Sequence, residues 1–261
     1  MDGRFIELPG VRLWCVDSGG DGPSIVFLHA KTGTSESWEP QLAYFAEHGY
    51  RVIAFDRRGS GESHPALDGT EQPGTLAGDL DALAETLAIG RFHLVSVAAG
   101  AFAALDYAAW KPERLRSVVA AATMSSFDEE EIAEFGRRIR VEALREPGEI
   151  ANLEVSAGYR GANPEGTRRW LEIEAAASRQ GAAGQGLRSP NRYEKFERIE
   201  VPVLALAGGA DLIAPPALVR LWAAHLPHAE VDILPEAGHS IAWEDPAAFN
   251  ERVLAFIEKF S

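Results

Sequence analysis

The chain has one cysteine, Cys15, in 261 residues. That excludes an internal disulfide and a cysteine-rich metal site. Cys15 falls in the alternating stretch Val11–Asp17, which reads as a strand, so packing rather than catalysis is its expected role. Long apolar runs are missing too: none reaches the roughly 18 residues of a membrane span. The opening Met1-Asp2-Gly3-Arg4 lacks the basic-then-apolar pattern of a signal peptide, which makes a cytoplasmic location the expectation. Positive charge is in deficit, with 25 Lys and Arg against 39 Asp and Glu, a net charge of −14. That balance argues against nucleic acid or an anionic membrane as a main partner, and its plain reading is a solvated surface. Internal repeats and low-complexity tracts are absent, and no motif speaks to oligomeric state.

What is present is ordinary for a globular enzyme: 46% hydrophobic and 25% charged residues, enough for one large α/β domain with an inserted lid. Residues 4–17 read as two strands turning at Pro9-Gly10. Ser24–Leu28 and Arg51–Phe55 are continuous apolar runs, the mark of strands buried on both faces. Further strands are expected at 93–97, 117–122, Val201–Ala207 and Val231–Leu234. Helices are expected at about Ser37–Glu47, Thr75–Leu87, Ala99–Trp110, Pro216–Leu226 and from Pro246 onward, where Asp245 is a good N-cap. The alternation predicts an α/β fold, a mostly parallel sheet with right-handed crossovers and helices on both faces. It breaks between about Met124 and Tyr193, where helical patterns at Phe127–Leu144 and around Arg168–Arg179 and a loose glycine-rich stretch at 181–186 carry no clear strand. The expected division is a core of 1–123 and 196–261 and a helical cap of 124–195.

Three loops follow strands, where ligands bind in open α/β sheets. The first is the turn in Ser96-Val97-Ala98-Ala99-Gly100-Ala101, between a strand and a helix. Laid on the nucleophile elbow G-x-S-x-G, it puts Ser96 at the first glycine, Ala98 at the serine and Gly100 at the last glycine. A methyl group cannot attack a carbonyl. The second loop carries Asp211 and the third His239, giving the chain order nucleophile position, acid, histidine. Ser96 is no displaced nucleophile, because it lies two residues back on the strand. Ser125, Ser126 and Ser240 lack an elbow.

These loops, together with His29-Ala30, Asp56-Arg57-Arg58-Gly59-Ser60-Gly61-Glu62-Ser63, Gly208-Gly209-Ala210-Asp211 and Ala237-Gly238-His239-Ser240, resemble the α/β-hydrolase fold superfamily with a lid, over essentially the whole chain. The run Val-Ala-Ala-Gly resembles a subgroup with alanine at the elbow. The resemblance implies that His239 is a general acid–base oriented by Asp211. It implies an oxyanion hole from the N–H groups of Ala99 and of Ala30, which replaces the family's usual glycine. Lys31 is a binding candidate for an anionic substrate or else an exposed loop charge. His29 belongs to the same loop. Trp38, Tyr159, Trp170 and Trp243 are candidates to line a pocket, with core packing as the competing reading. Nothing calls for a metal or other cofactor.

Three accounts of Ala98 stay open. It replaces a serine by design; or it is natural and the chemistry runs without an acyl-enzyme; or the pocket binds without catalysing. Ser96, Ala101 and Ala30 also stray from the pattern, which favours a natural alanine. The activity implied by resemblance is hydrolysis of an ester, lactone or activated C–C bond in a small-molecule substrate, an organic carbonyl compound. The alternatives are a His–Asp lyase or decarboxylase, a cofactor-free oxygenase, and a ligand-binding module.

Overall fold

The computed structural model describes residues 1–63, 74–139, 150–177 and 184–261. Eight strands form one sheet: β1 (Gly3–Leu8), β2 (Val11–Asp17), β3 (Ser24–Leu28), β4 (Arg51–Phe55), β5 (Phe92–Val97), β6 (Leu115–Ala121), β7 (Val203–Gly208) and β8 (Ala229–Leu234). Their order is β1-β2-β4-β3-β5-β6-β7-β8. β2 runs antiparallel to both neighbours, and every other pair is parallel. The hairpin turns where expected, with Leu8 opposite Val11 and Gly10 at φ 73°, a conformation that favours glycine.

The helices are α1 (Glu39–Glu47), α2 (Leu76–Thr86), α3 (Ala99–Trp110), α4 (Glu130–Arg138), α5 (Ile150–Glu154), α6 (Ala157–Ala162), α7 (Pro164–Ala177), α8 (Tyr193–Phe196), α9 (Pro216–Ala223), α10 (Ile241–Glu244) and α11 (Pro246–Ile257). Successive strand residues point to opposite faces, so the central strands feed two cores. Val26 and Leu28 of β3 join the core under α2, α3 and α9. Ile25 and Phe27 join the one under α1 and α11. This is the α/β arrangement expected from the sequence, with helices on both faces.

The differences lie at element ends. A separate 3-10 turn, Ser35–Trp38, precedes α1, because Thr34 and Ser37 close a capping box there and Pro40 sits in the first turn of the α-helix. β7 starts at Val203, two residues late, behind Pro202, and β8 starts two residues early, at Ala229. α9 stops three residues short, at Ala223.

Between β6 and β7 lie α4 to α8, and no strand of the sheet occurs among the described residues there. The helix expected at Phe127–Leu144 is α4, shorter at its start; 140–144 lie outside the described residues. The one expected at Arg168–Arg179 begins at Pro164, a residue suited to a first turn; 178–179 lie outside the described residues, as do 181–183 of the glycine-rich stretch.

Candidate active site

The ends of β5, β7 and β8 lie along one edge of the sheet, and their following loops carry Ala98, Asp211 and His239. Ala98 itself holds φ 47° and ψ −116°. Such backbone is sparsely populated for a residue with a Cβ and costs of order 1–3 kcal/mol. The bend is pinned on both sides: Ala98 N–H donates to Ala121 O at 2.9 Å, and Ala101 N–H to Ala98 O at 3.1 Å. Gly100 is required by crowding. A Cβ there would lie 2.5 Å from Leu28 O and 2.9 Å from His29 O. Ser96 is buried on β5 and donates its hydroxyl to Val119 O at 2.6 Å.

The acid and histidine loops are packed backbone against backbone. A Cβ on Gly208 would meet Gly238 O at 2.3 Å, and one on Gly209 would meet Pro235 O at 2.2 Å. Across that seam His239 Nδ1 donates to Asp211 Oδ2 at 2.9 Å. The other carboxylate oxygen accepts from the N–H groups of Ile213 at 2.7 Å and Ala214 at 2.9 Å. Both side chains are buried. Burial alone would push the imidazole pKa down, but Asp211, helped by Glu154 and Glu244, outweighs it and holds the pKa up at about 9. At neutral pH His239 is therefore an imidazolium able to give a proton from Nε2.

His239 lines two cavities. The larger, about 650 Å³, is also lined by Ala30, Ala98, Ala99 and Lys31. The smaller, about 40 Å³, is lined by Trp38, Trp170 and Trp243. Among the described residues the N–H groups of Ala30 and Ala99 find no backbone acceptor, as expected at the first turn of a helix for Ala99.

Two expected site residues are not brought in. His29 lines neither cavity. It is fully buried; its Nδ1 donates to Ala30 O at 2.7 Å and its Nε2 accepts from Arg57 N–H at 3.0 Å. Burial and the Arg57 charge hold its pKa well below the usual value, so it is a neutral brace for the loop. Tyr159 also lines neither cavity; it packs in a small cluster with Trp170 and accepts from Asn163 Nδ2 at 3.1 Å.

Two residues that the sequence reading missed do line the site. Glu154, from α5, shares both cavities with His239. Its Oε2 accepts from Thr32 Oγ1 at 2.6 Å, and its carbonyl from Ser240 N–H at 2.7 Å. Burial raises its carboxyl pKa, against the pull of His239 and Thr32. Arg57 lines the larger cavity. Its neighbour Arg58 is committed to Asp79 through two bonds, at 3.0 and 2.6 Å. Neither signal was available in sequence, where one is a lone acid in a helical stretch and the other half of an Arg-Arg pair. Among the described residues, no group of three or more His, Cys, Asp or Glu can hold a metal ion, and no helix is long and apolar enough to cross a membrane.

A family model described as the alpha/beta hydrolase family matches residues 25–252. The chain belongs to the alpha/beta hydrolase family. A proposed non-heme bromoperoxidase, BpoC, of Mycobacterium tuberculosis is 32% identical over 92% of this chain and 95% of that protein. A 3-oxoadipate enol-lactonase of Acinetobacter baylyi is 27% identical, over 92% of this chain and 91% of that one. An esterase from Thermogutta terrifontis superposes with a TM-score of 0.83 at 24% identity, covering 98% of this chain and 99% of its own, a likeness of fold.

Proposed function

We propose that this protein is an enzyme acting on a small carbonyl compound, an ester, lactone or activated C–C bond, through His239 and Asp211 and without an acyl-enzyme. The observation that carries the reading is the strained elbow at Ala98. The bend is held at an energetic cost beside a buried His239–Asp211 pair, although its side chain has no chemistry to present. What the bend does offer is the N–H of Ala99, on the cavity that Ala30 also lines. Together these serve as the oxyanion hole.

Water replaces the missing hydroxyl as nucleophile. Glu154 takes a proton from a water as its oxygen bonds to the substrate carbonyl carbon. The carbonyl π electrons move to oxygen, where the charge meets the Ala30 and Ala99 N–H groups. The C=O then re-forms, the bond to the leaving oxygen or carbon breaks with its electron pair, and the His239 imidazolium protonates the leaving atom. A proton passing from Glu154 back to His239 restores both groups. The net change is one water added across the cleaved bond.

We read 124–195 as a cap over the core of 1–123 and 196–261. Glu154 and Trp170 come from that segment and line the cavities beside the sheet loops, which supports the division. Trp38, Trp170 and Trp243 wall the small chamber that His239 and Glu154 also line, and in this reading they keep bulk water from those two groups. A lyase step is the second reading. It is favoured by the protonated state of His239, which suits a general acid for a departing carbanion.

The test compares wild type, Ala98→Ser and His239→Ala on a panel of activated esters, lactones and β-dicarbonyl compounds, with products followed by mass spectrometry. Turnover should vanish in His239→Ala and be unchanged or impaired in Ala98→Ser. Burst hydrolysis appearing only in Ala98→Ser would instead mark an ordinary serine hydrolase site that lacks its nucleophile. Ligand affinity without product from any panel member would mark a binding module.

A further inference from the structure

Arg57 presents an energetic problem that the fold does not solve. Among the described residues its guanidinium makes one hydrogen bond, Nη2 to Ala30 O at 3.2 Å, and its Nε is buried without a partner. The carboxylates of its chain neighbour Asp56 and of Asp79 are committed elsewhere. Asp56 accepts from Ser35 N–H at 2.6 Å and Glu62 N–H at 2.8 Å, and Asp79 is taken by Arg58. No carboxylate forms an ion pair with Arg57 among the described residues. Burial draws its pKa down to about 10, still far too high for the group to lose its charge near neutrality. Arg57 is half-buried as a whole, and a guanidinium with one nitrogen buried and unpaired and no counter-charge is costly unless an anion arrives to meet it.

The surroundings supply room for that anion. Arg57 lines the 650 Å³ cavity together with Lys31, which is exposed. Among the described residues the only carboxylate lining it is Glu154, held by Thr32 and facing His239. A positive wall inside a chain of net charge −14 runs against the character of the whole molecule. The location matters as much as the sign. Arg57 donates to the carbonyl of the same Ala30 whose N–H is assigned to the reacting oxygen, and both residues line this one cavity.

We infer that Arg57, with Lys31 beside it, anchors a substrate carboxylate, so the compound taken into the cavity is an oxo acid, or an acid-bearing ester or lactone, with its carboxylate a few bonds from the reacting carbonyl. The guanidinium fork suits a planar carboxylate through two parallel hydrogen bonds. The inference rests on the reading of this cavity as the substrate site.

The test uses three acids that place zero, one or two methylenes between carboxylate and ketone: pyruvate, acetoacetate and levulinate, each beside its methyl ester. Binding to the full chain is measured by ligand-observed NMR, with the imidazole resonances of His239 followed in the same samples. At least one acid should bind about tenfold or more tightly than its ester. Arg57→Met should erase that preference, and Arg57→Lys should keep part of it. Arg57→Met should also melt no lower than wild type, since it removes a half-buried charge that has no carboxylate partner among the described residues, whereas an arginine of purely structural use would lower the melting point when lost. Equal binding of acid and ester to wild type overturns the inference without any variant. So does saturable binding of no acid, or a preference that survives in Arg57→Met. An Arg57-dependent preference that leaves the His239 resonances unmoved would uphold the anchor while removing the acid–base reading of the site.

Discussion

Asp211 holds His239 through one oxygen at 2.9 Å, while two backbone N–H groups hold the other oxygen. The carboxylate therefore cannot turn away, and the imidazolium it favours is stabilised in the folded chain. A pKa of about 9 lies above the ordinary value near 6.5 of an unfolded histidine. Stability from this pair is fully present below about pH 6.5 and is lost as pH rises to about 9, on the order of a few kcal/mol. Urea unfolding across that range should show the decline, and Asp211→Asn should flatten it. An equally steep decline in Asp211→Asn would show that the pair is not its source.

Catalysis should follow the same group. A general acid works only while protonated, so kcat should fall on the alkaline side with an apparent pKa near 9. Glu154 adds to the field that keeps His239 protonated. Glu154→Gln should move that alkaline limb to lower pH and, by removing the base that takes the proton from water, cut kcat by about 100-fold or more. If Glu154 serves only to brace Thr32 and the Ser240 loop, the limb stays where it is.

How much of this could be read beforehand depends on which force fixes each feature. β3, β4 and α3 have the bounds their apolar runs and small-residue bend implied, because local pattern and burial agree there. Asp211 and His239 were legible since each sits just after a strand, at a place the sheet topology fixes. Glu154 was not. Its approach to His239 depends on how the chain between β6 and β7 folds back over the sheet, and no local periodicity encodes that path. His29 shows the opposite case: it enters as a candidate through the loop it shares with Ala30, yet its two ring nitrogens are spent on Ala30 and Arg57.

The strain at Ala98 makes a prediction of its own. Glycine adopts positive φ without a Cβ penalty but costs up to about 1 kcal/mol through the unfolded chain. Relief of a strain of order 1–3 kcal/mol should exceed that. Ala98→Gly should therefore stabilise the fold by about 1 kcal/mol in chemical denaturation, while a β-branched Ala98→Val should destabilise it. A loss of stability in Ala98→Gly would mean that the strain at alanine is smaller than the cost glycine brings through the unfolded chain.

Gly100 tests whether the bend and the neighbouring loop are one unit. An added methyl would sit 2.5 Å from Leu28 O and 2.9 Å from His29 O, and both are backbone atoms that cannot swing aside. Either α3 must lift from β3 or the loop carrying Ala30 must shift, so Gly100→Ala should cost about 1–3 kcal/mol, the usual range for overpacking. Because the N–H groups of Ala30 and Ala99 would then separate, turnover of the true substrate should fall by more than the loss of folded protein explains. The comparison needs only kcat per folded molecule, with the folded fraction taken from the denaturation curve. Undiminished kcat in a destabilised Gly100→Ala would separate the packing of the bend from the oxygen-binding role assigned to those two groups.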